Sequence, residues 1–201
     1  MDVLEAIRTT RAMRRLDPDR DVSEADLLTI LEAATRGASG GNAQPVRWLV
    51  VRDPELKRQV GAIYREQAAE RLKTYAEMAR QGDQTQARNL GSYQHLAEHL
   101  GAAPALVIPC ARGVRGVVDA SVYPGVQNLM LAARALGLGT TLTRIHLGGE
   151  AALKQVLGIP EDVHTFAIIP VGYPLGRWGE APRRPVSEVV HWDRWEQRPP
   201  S

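Results

Sequence analysis

Between Asp53 and Leu100 the chain offers no segment that reads as a strand. Asp53 suits a helix cap, and Pro54 suits the first helical position, where its missing N–H costs nothing. A run rich in Ala, Glu, Arg and Gln continues from there to about residue 80. Gln81-Gly82-Asp83 breaks it, and a second helical piece spans roughly Thr85 to Leu100. The spacing therefore predicts a polar helical hairpin over about 55–100, with only a modest apolar face. The apolar layers it needs must come from the rest of the chain.

Those layers are legible. Val3, Leu4, Ala6 and Ile7 have the spacing of a short amphipathic helix. Ser23 reads as an N-cap with Asp26 three residues on, before the apolar face Leu27, Leu28, Ile30, Leu31 and Ala34, and Gly37 stands at a C′ position. Trp48–Val51 and Ala105–Cys110 read as buried strands. From about Asp119 to Leu136 lies the most apolar helix, with Pro124 tolerable only near its start, and Gly137 and Gly139 end it. Thr140–Ile145 is β-branched enough for a strand, Gly149–Leu157 is helical, and His164–Val171 reads as a strong strand. A loop-like tail follows, and Asp17-Pro18 marks a turn before the second helix. Helices dominate, with four or five strands among them, which predicts an α+β fold over a single domain, 1–201.

Charge and cysteine content exclude several functions. With 25 Lys+Arg against 23 Asp+Glu the formal net charge is +2, too little to argue for nucleic acid. Nearly all the positive charge is Arg, whose planar fork suits phosphate and carboxylate. Cys110 is the sole cysteine, so no intrachain disulfide can form, and its neighbours Val107, Ile108 and Pro109 predict a buried, inert thiol. No apolar run approaches a membrane span, and the acidic, helical N-terminus reads as no signal peptide; the expectation is a cytoplasmic protein without membrane or nucleic-acid partners.

The familiar catalytic motifs fail on context. Gly137-Leu138-Gly139 begins like a dinucleotide fingerprint, but it follows a helix, precedes a strand, and meets Leu142 where the third glycine belongs. His95 and His99 share a helix face, yet two histidines do not complete a metal site, and no metal is expected. His146, His164 and His191 have no visible companions, and no nucleophile, base and acid grouping is legible. Three polar segments remain: Arg11, Arg14 and Arg15; the loop Ser39-Gly40-Gly41-Asn42-Ala43-Gln44-Pro45; and the tail with Arg183 and Arg184. Residue types alone leave two readings open, a convergent anion site and ordinary solvated surface.

Taken in order and spacing, these segments resemble the FMN-dependent nitroreductase family. The resemblance rests on Thr10 to Pro18 (TRAMRRLDP), Ala38 to Val46 (ASGGNAQPV), Gln127-Asn128-Leu129 with Ala135 to Gly139, and Val171 to Pro174 followed by Arg183-Arg184-Pro185. It implies a mixed, mainly antiparallel sheet of four or five strands flanked by helices, in an intertwined homodimer with FMN at the interface. It also implies that Arg11 binds the phosphate or ribityl end, and that Arg14 lies near the flavin N1 and O2 edge, where a cation stabilises the reduced anion. Ser39, Asn42 and Gln44 would border the cofactor. The backbone around Leu142 and Thr143 would approach N5 and O4, and Arg183 would hold the phosphate. This chain departs from the family pattern at Thr10, at Ala12, where only the backbone can serve, and at Val46, with Trp48 two residues on.

The activity so implied is FMN-dependent reduction of a small organic acceptor, such as a nitro compound or quinone, with NADH or NADPH as hydride donor in ping-pong fashion. The flavin carries the chemistry, so no catalytic side chain is expected. The hairpin would cover the site, with Tyr64, Arg65, Arg71 and Tyr75 on its wall. The alternatives are reductive dehalogenation or flavin breakdown on the same fold, and a protein that stores, sequesters or senses FMN with little turnover.

Overall fold

The computed structural model describes residues 1–197; residues 198–201, the end of the expected domain, lie outside the described residues. Helices α1 (Val3–Thr9) and α2 (Glu24–Thr35) precede strand β1 (Arg47–Val51). The hairpin follows as α3 (Pro54–Arg80) and α4 (Gln84–His99). Then come β2 (Ala105–Arg112), α5 (Asp119–Ala135), β3 (Gly139–Thr140), α6 (Glu150–Leu157), β4 (Val163–Thr165), β5 (Ile169–Gly172) and the one-turn α7 (Val186–Val189). All strand pairs are antiparallel, in the order β1-β2-β5-β3, with β4 also paired to β2.

Local chemistry places the ends where the residues require. Ser23 Oγ accepts from Asp26 N at 3.0 Å, and Asp53 Oδ1 accepts from Leu56 N at 2.8 Å. Asp83, after Gly82 at φ +100°, accepts from Thr85 N and Gln86 N and restarts the hairpin as α4. Each such cap satisfies a helix donor that has no partner within the helix.

The sheet is covered on both faces, and β2 shows why. Ala105, Val107 and Ala111 pack with Leu27, Ile30 and Ala34 of α2 and Val122, Val126 and Leu129 of α5. Leu106, Ile108 and Cys110 pack the other way, with Val60, Tyr64 and Ala68 of α3, Leu96 of α4 and Leu153 of α6. Alternate residues of a strand face opposite sides, so a continuous apolar run fits a strand buried on both. The hairpin thus lays its narrow apolar stripe on one face of the sheet. Among the described residues no helix is long and apolar enough to cross a membrane.

Two strands differ from expectation. The single strand His164–Val171 is divided into β4 and β5, because Ile168 turns aside to exchange hydrogen bonds with Thr143, at 2.9 and 3.1 Å. The expected strand Thr140–Ile145 is cut to Gly139–Thr140; Thr143 keeps only that bridge, and Ile145–Gly149 winds into a 3-10 turn. Gly37 does follow α2, but its lack of a side chain serves packing: a Cβ there would stand 2.4 Å from Gly125 N of α5. The two helices cross backbone to backbone at that point.

Candidate functional site

The arginine-rich segment after α1 is neither helix nor free loop. Met13 N donates to Thr140 O at 2.9 Å, Asp17 N to Tyr173 O at 2.8 Å, and Leu175 N to Arg15 O at 3.0 Å. It therefore lies as an extra extended strand beside β3 and the chain leaving β5, with Ala12 bridged to Thr140 and Leu16 to Pro174. The approach is close enough to demand glycine: a Cβ on Gly139 would stand 2.8 Å from Met13 Cβ. Met13 is buried, so its neighbours Arg11, Ala12 and Arg14 are held on a rigid edge.

Arg14 enters a cleft of about 310 Å³ between this edge and the hairpin. Pockets of about 300–1,000 Å³ are the usual size for small ligands. One wall is a helical stripe of α3, Tyr64, Ala68, Arg71, Leu72 and Tyr75, whose spacing puts them on one face. Tyr93 and Leu96 of α4 close the side, and Thr141 to Ile145 form the floor. Tyr75 and Tyr93 meet at 5.2 Å between ring centres, and the Arg14 guanidinium lies 4.6 Å from the Tyr93 ring. Tyr64, almost wholly buried, shares a 2.8 Å hydrogen bond between its hydroxyl and Thr143 Oγ1. Burial pushes the Tyr64 phenol up, with the Thr143 bond and Arg14 opposing, so it stays neutral. Burial pulls Arg14 below the ordinary arginine value, with the Tyr93 and Tyr64 hydroxyls opposing; an arginine remains charged regardless.

A second cleft continues from Arg14 along the same edge, lined by Arg11, Ala12, Thr85, Arg88, Asn89 and Arg183. The chain holds 23 acidic residues, yet none lines either cleft. Arginines left without carboxylates form a place for an anion.

The expected residues therefore fall into two groups. Arg11, Ala12, Arg14 and Arg183 line one cleft, and Arg14, Leu142 and Thr143 line the next. Ser39 and Gln44 line a separate cavity with Val46, Trp48 and Ser121, which shares no residue with the first two. Gly41, Asn42 and Gln44 take left-handed backbone at φ +57°, +54° and +47°. Such backbone is rare for Gln and costs on the order of 1 kcal/mol or more. Ser39 Oγ holds it by accepting from Gln44 N at 3.1 Å, Ser121 Oγ accepts from Gly40 N at 3.1 Å, and Asn42 Oδ1 accepts from Gln44 Nε2 at 3.3 Å. One chain does not bring this loop to the arginines.

A comparison of the sequence with known families now decides the membership. The nitroreductase family matches residues 7–173. The chain belongs to the nitroreductase family. YdgI of Bacillus subtilis, to which an NAD(P)H nitroreductase activity is ascribed, is 31% identical and aligns over 95% of this chain and 97% of its own. An iodotyrosine deiodinase of Thermotoga neapolitana is 28% identical, over 94% of each. A Desulfovibrio desulfuricans protein described as a nitroreductase and crystallised with FMN superposes with a TM-score of 0.73 at 27% identity, over 97% of this chain and 98% of that one. The mainly antiparallel five-stranded sheet flanked by helices is the nitroreductase fold.

Against that family frame, Tyr64, Arg71 and Tyr75 do stand on the hairpin wall, but Arg65 does not. It points along the outside of α3 and donates to Glu98 O at 3.2 Å. The helical period explains the error, since position 65 is about 100° around the helix from Tyr64. Thr85, Arg88 and Asn89 were missed. Their signal was a polar stripe at helical spacing on α4, indistinguishable in sequence from a solvated face. His95 and His99 stack at 4.2 Å, and among the described residues no cluster of three or more His, Cys, Asp or Glu could hold a metal ion.

Proposed function

We propose that this nitroreductase-family oxidoreductase binds FMN along the two arginine clefts and reduces a small organic acceptor, such as a nitro compound or quinone, with hydride from NADH or NADPH. The observation that carries the reading is the convergence of Arg11, Arg14, Arg88 and Arg183 with no carboxylate, next to a tyrosine-walled cleft. That donor set fits a phosphate-bearing cofactor with a flat ring. Arg11 and Arg183 would hold the phosphate or ribityl end, and Arg14 the N1 and O2 edge. The Thr143 N–H is already given to Ile168 O, so the backbone contact at N5 and O4 would fall to Leu142. The FMN-bound Desulfovibrio relative supports the cofactor, and the name of YdgI supports the donor.

When bound, FMN supplies a hydride acceptor and donor at N5. The chain supplies position and field: Arg14 keeps a positive charge where negative charge develops on reduction, a stabilisation larger in a partly desolvated site than in water. Tyr64, Tyr75 and Tyr93 make an aromatic wall, with the Tyr75 and Tyr93 rings tilted 42° to each other. One cleft serves donor and acceptor in turn, which is ping-pong order. The residues described act as one unit, with the hairpin as the cover of the site.

A second copy of the chain completes the site in this reading. The loop of Ser39, Asn42 and Gln44 lies away from the arginines of its own chain, and would border the flavin of a partner. Helix α1 supports a homodimer by leaving Val3 and Leu4 each 65% exposed and Ile7 51% exposed, an apolar face that a lone chain would leave in water.

The test is purification followed by identification of any released yellow cofactor and steady-state oxidation of NADH or NADPH with a quinone or nitroaromatic. A colourless protein that takes up no added FMN would overturn the proposal. Bound FMN that neither nicotinamide reduces would replace it with the storage or sensing reading. The deiodinase relative favours related flavin chemistry as a second reading; product analysis with a halogenated phenol separates it. Arg183→Ala should weaken FMN binding by about 1.5–3 kcal/mol, as for one charged hydrogen-bond partner, and unchanged affinity would remove Arg183 from the phosphate site.

A further inference from the structure

The cleft holds more positive charge than the cofactor's ring edge needs. Arg14 comes from the edge segment beneath, but Arg71 comes from the hairpin above. Arg71 lies on the α3 stripe with Tyr64 and Tyr75, and its charge is felt at the Tyr64 hydroxyl. Among the described residues no carboxylate stands within ion-pair distance of Arg71, although Lys73 and Arg58 on the same helix are each paired with a glutamate. Its guanidinium is therefore available, on the rim of a cleft whose walls are aromatic rings.

Planar aromatic walls take a flat ring, and a free guanidinium takes a planar anion through two parallel N–H donors. The lining carries no carboxylate to hold an amine. We infer that the acceptor reduced in this cleft is an aromatic or quinonoid acid, and that Arg71 selects it by pairing with its carboxylate or phenolate. The inference rests on the flavin-reductase reading above and adds the charge of the substrate. Neutral rings use the tyrosine wall alone. Cationic and zwitterionic rings bring an ammonium into the field of Arg14 and Arg71 and are disfavoured.

The test uses the FMN-loaded protein and two acceptors that share a ring, 4-nitrobenzoate and 4-nitrobenzamide. The ratio of their kcat/KM values is read in the wild type, in Arg71→Gln and in Arg65→Gln. Arg65→Gln removes the same charge from the same helix but outside the cleft. The expected result is a fall of about tenfold or more in the anion-to-neutral ratio for Arg71→Gln, chiefly through KM, and no change for Arg65→Gln. Arg71→Lys should keep part of the preference, as a point charge without the fork. An unchanged ratio in Arg71→Gln, or the same shift in both glutamine variants, overturns the inference.

Binding of benzoate, followed by its perturbation of the flavin visible band, gives a reading that needs no turnover. Benzoate should bind about tenfold more weakly to Arg71→Gln while benzamide does not. This separates failure of the inference from failure of the reductase reading, in which neither nitro compound is reduced. The donor's phosphates offer the same chemistry. Single-turnover reduction by NADPH and NADH therefore forms a third arm. Loss of an NADPH preference in Arg71→Gln, with the acceptor ratio intact, assigns the arginine to the donor and overturns the inference.

Discussion

Lowering the pH from about 7 to about 4.5 should cost this protein stability chiefly through one buried side chain, His146, before the carboxylates contribute. His146 is wholly buried, in the turn that follows the floor of the cleft. Its Nε2 stands 3.1 Å from Thr165 Oγ1, and that hydroxyl donates to Glu150 Oε1 at 2.8 Å. The hydroxyl must then accept from Nε2–H, which leaves Nδ1 bare, buried and without a partner among the described residues. Protonating Nδ1 would add both a charge and an unpaired donor to the interior. Burial accordingly pulls the imidazole from its ordinary 6.5 down to about 4, with Glu150 opposing and Arg115 and Arg144 adding to the fall. Between those values the unfolded chain binds a proton that the folded chain refuses, so stability falls as the pH falls through that window. A shift of that size corresponds to about 3 kcal/mol, a large part of the roughly 5–15 kcal/mol typical of a domain.

Glu150 acts in a different window. Burial would raise it, but the Thr165 N–H and hydroxyl and the Arg115 ion pair hold it below the ordinary 4.5. Its contribution is present above that value and lost as the pH falls through its lower folded value. Urea denaturation at fixed protein concentration, followed by tryptophan fluorescence at about pH 7, 5.5 and 4.5, isolates the histidine. His146→Gln keeps a donor to Thr165 without a titrating group, and should lose little stability over this range while the wild type loses most of the expected amount. Equal losses in the two proteins would refute the assignment.

Two further outcomes test packing, one at the cleft and one where α2 meets α5. Tyr64→Phe should lower stability by about 1 kcal/mol, since it leaves the buried Thr143 hydroxyl without its 2.8 Å partner, read as a shift in the urea midpoint. Gly125→Ala should destabilise by about 1–3 kcal/mol or more, because a Cβ there meets Ala34 O at 2.7 Å and the Trp48 ring at 3.0 Å. A wild-type melting temperature for this variant would show that α2 and α5 can move apart.

Much of the site was legible as fragments and little of it as a place. Arg11, Arg14 and Arg183 could be picked out because the segments around them keep the family's order, and the structure does put them on one edge. Tyr64, Arg71 and Tyr75 were expected on the wall because the resemblance sets the hairpin over the site. Arg65, expected with them, faces away, because nothing local says which side of a polar helix faces the sheet. Arg88 and Asn89 were invisible because α4 is polar on most of its surface. His146 looked like an isolated histidine, since its partners Thr165 and Glu150 lie on separate elements. The split of the expected strand at Ile168 was equally hidden: its partner Thr143 is distant in sequence, and Phe166 to Ile169 are apolar enough for either course.

The sequence by itself determined the local elements. The caps at Ser23, Asp53 and Asp83, the break at Gly82, the doubly apolar run of β2 and the sparse stripe of the hairpin are all set by interactions within a few residues. Only the tertiary structure decided where charge collects. Arg11 and Arg14 reach the cleft because Met13 and Leu16 seal their segment against Gly139 and Pro174, and Arg71 reaches it because the hairpin can bury only one stripe. The 23 acidic residues went elsewhere. An electrostatic field is a sum over distances, and a sequence that is nearly neutral along its length says nothing about those distances until the chain is folded.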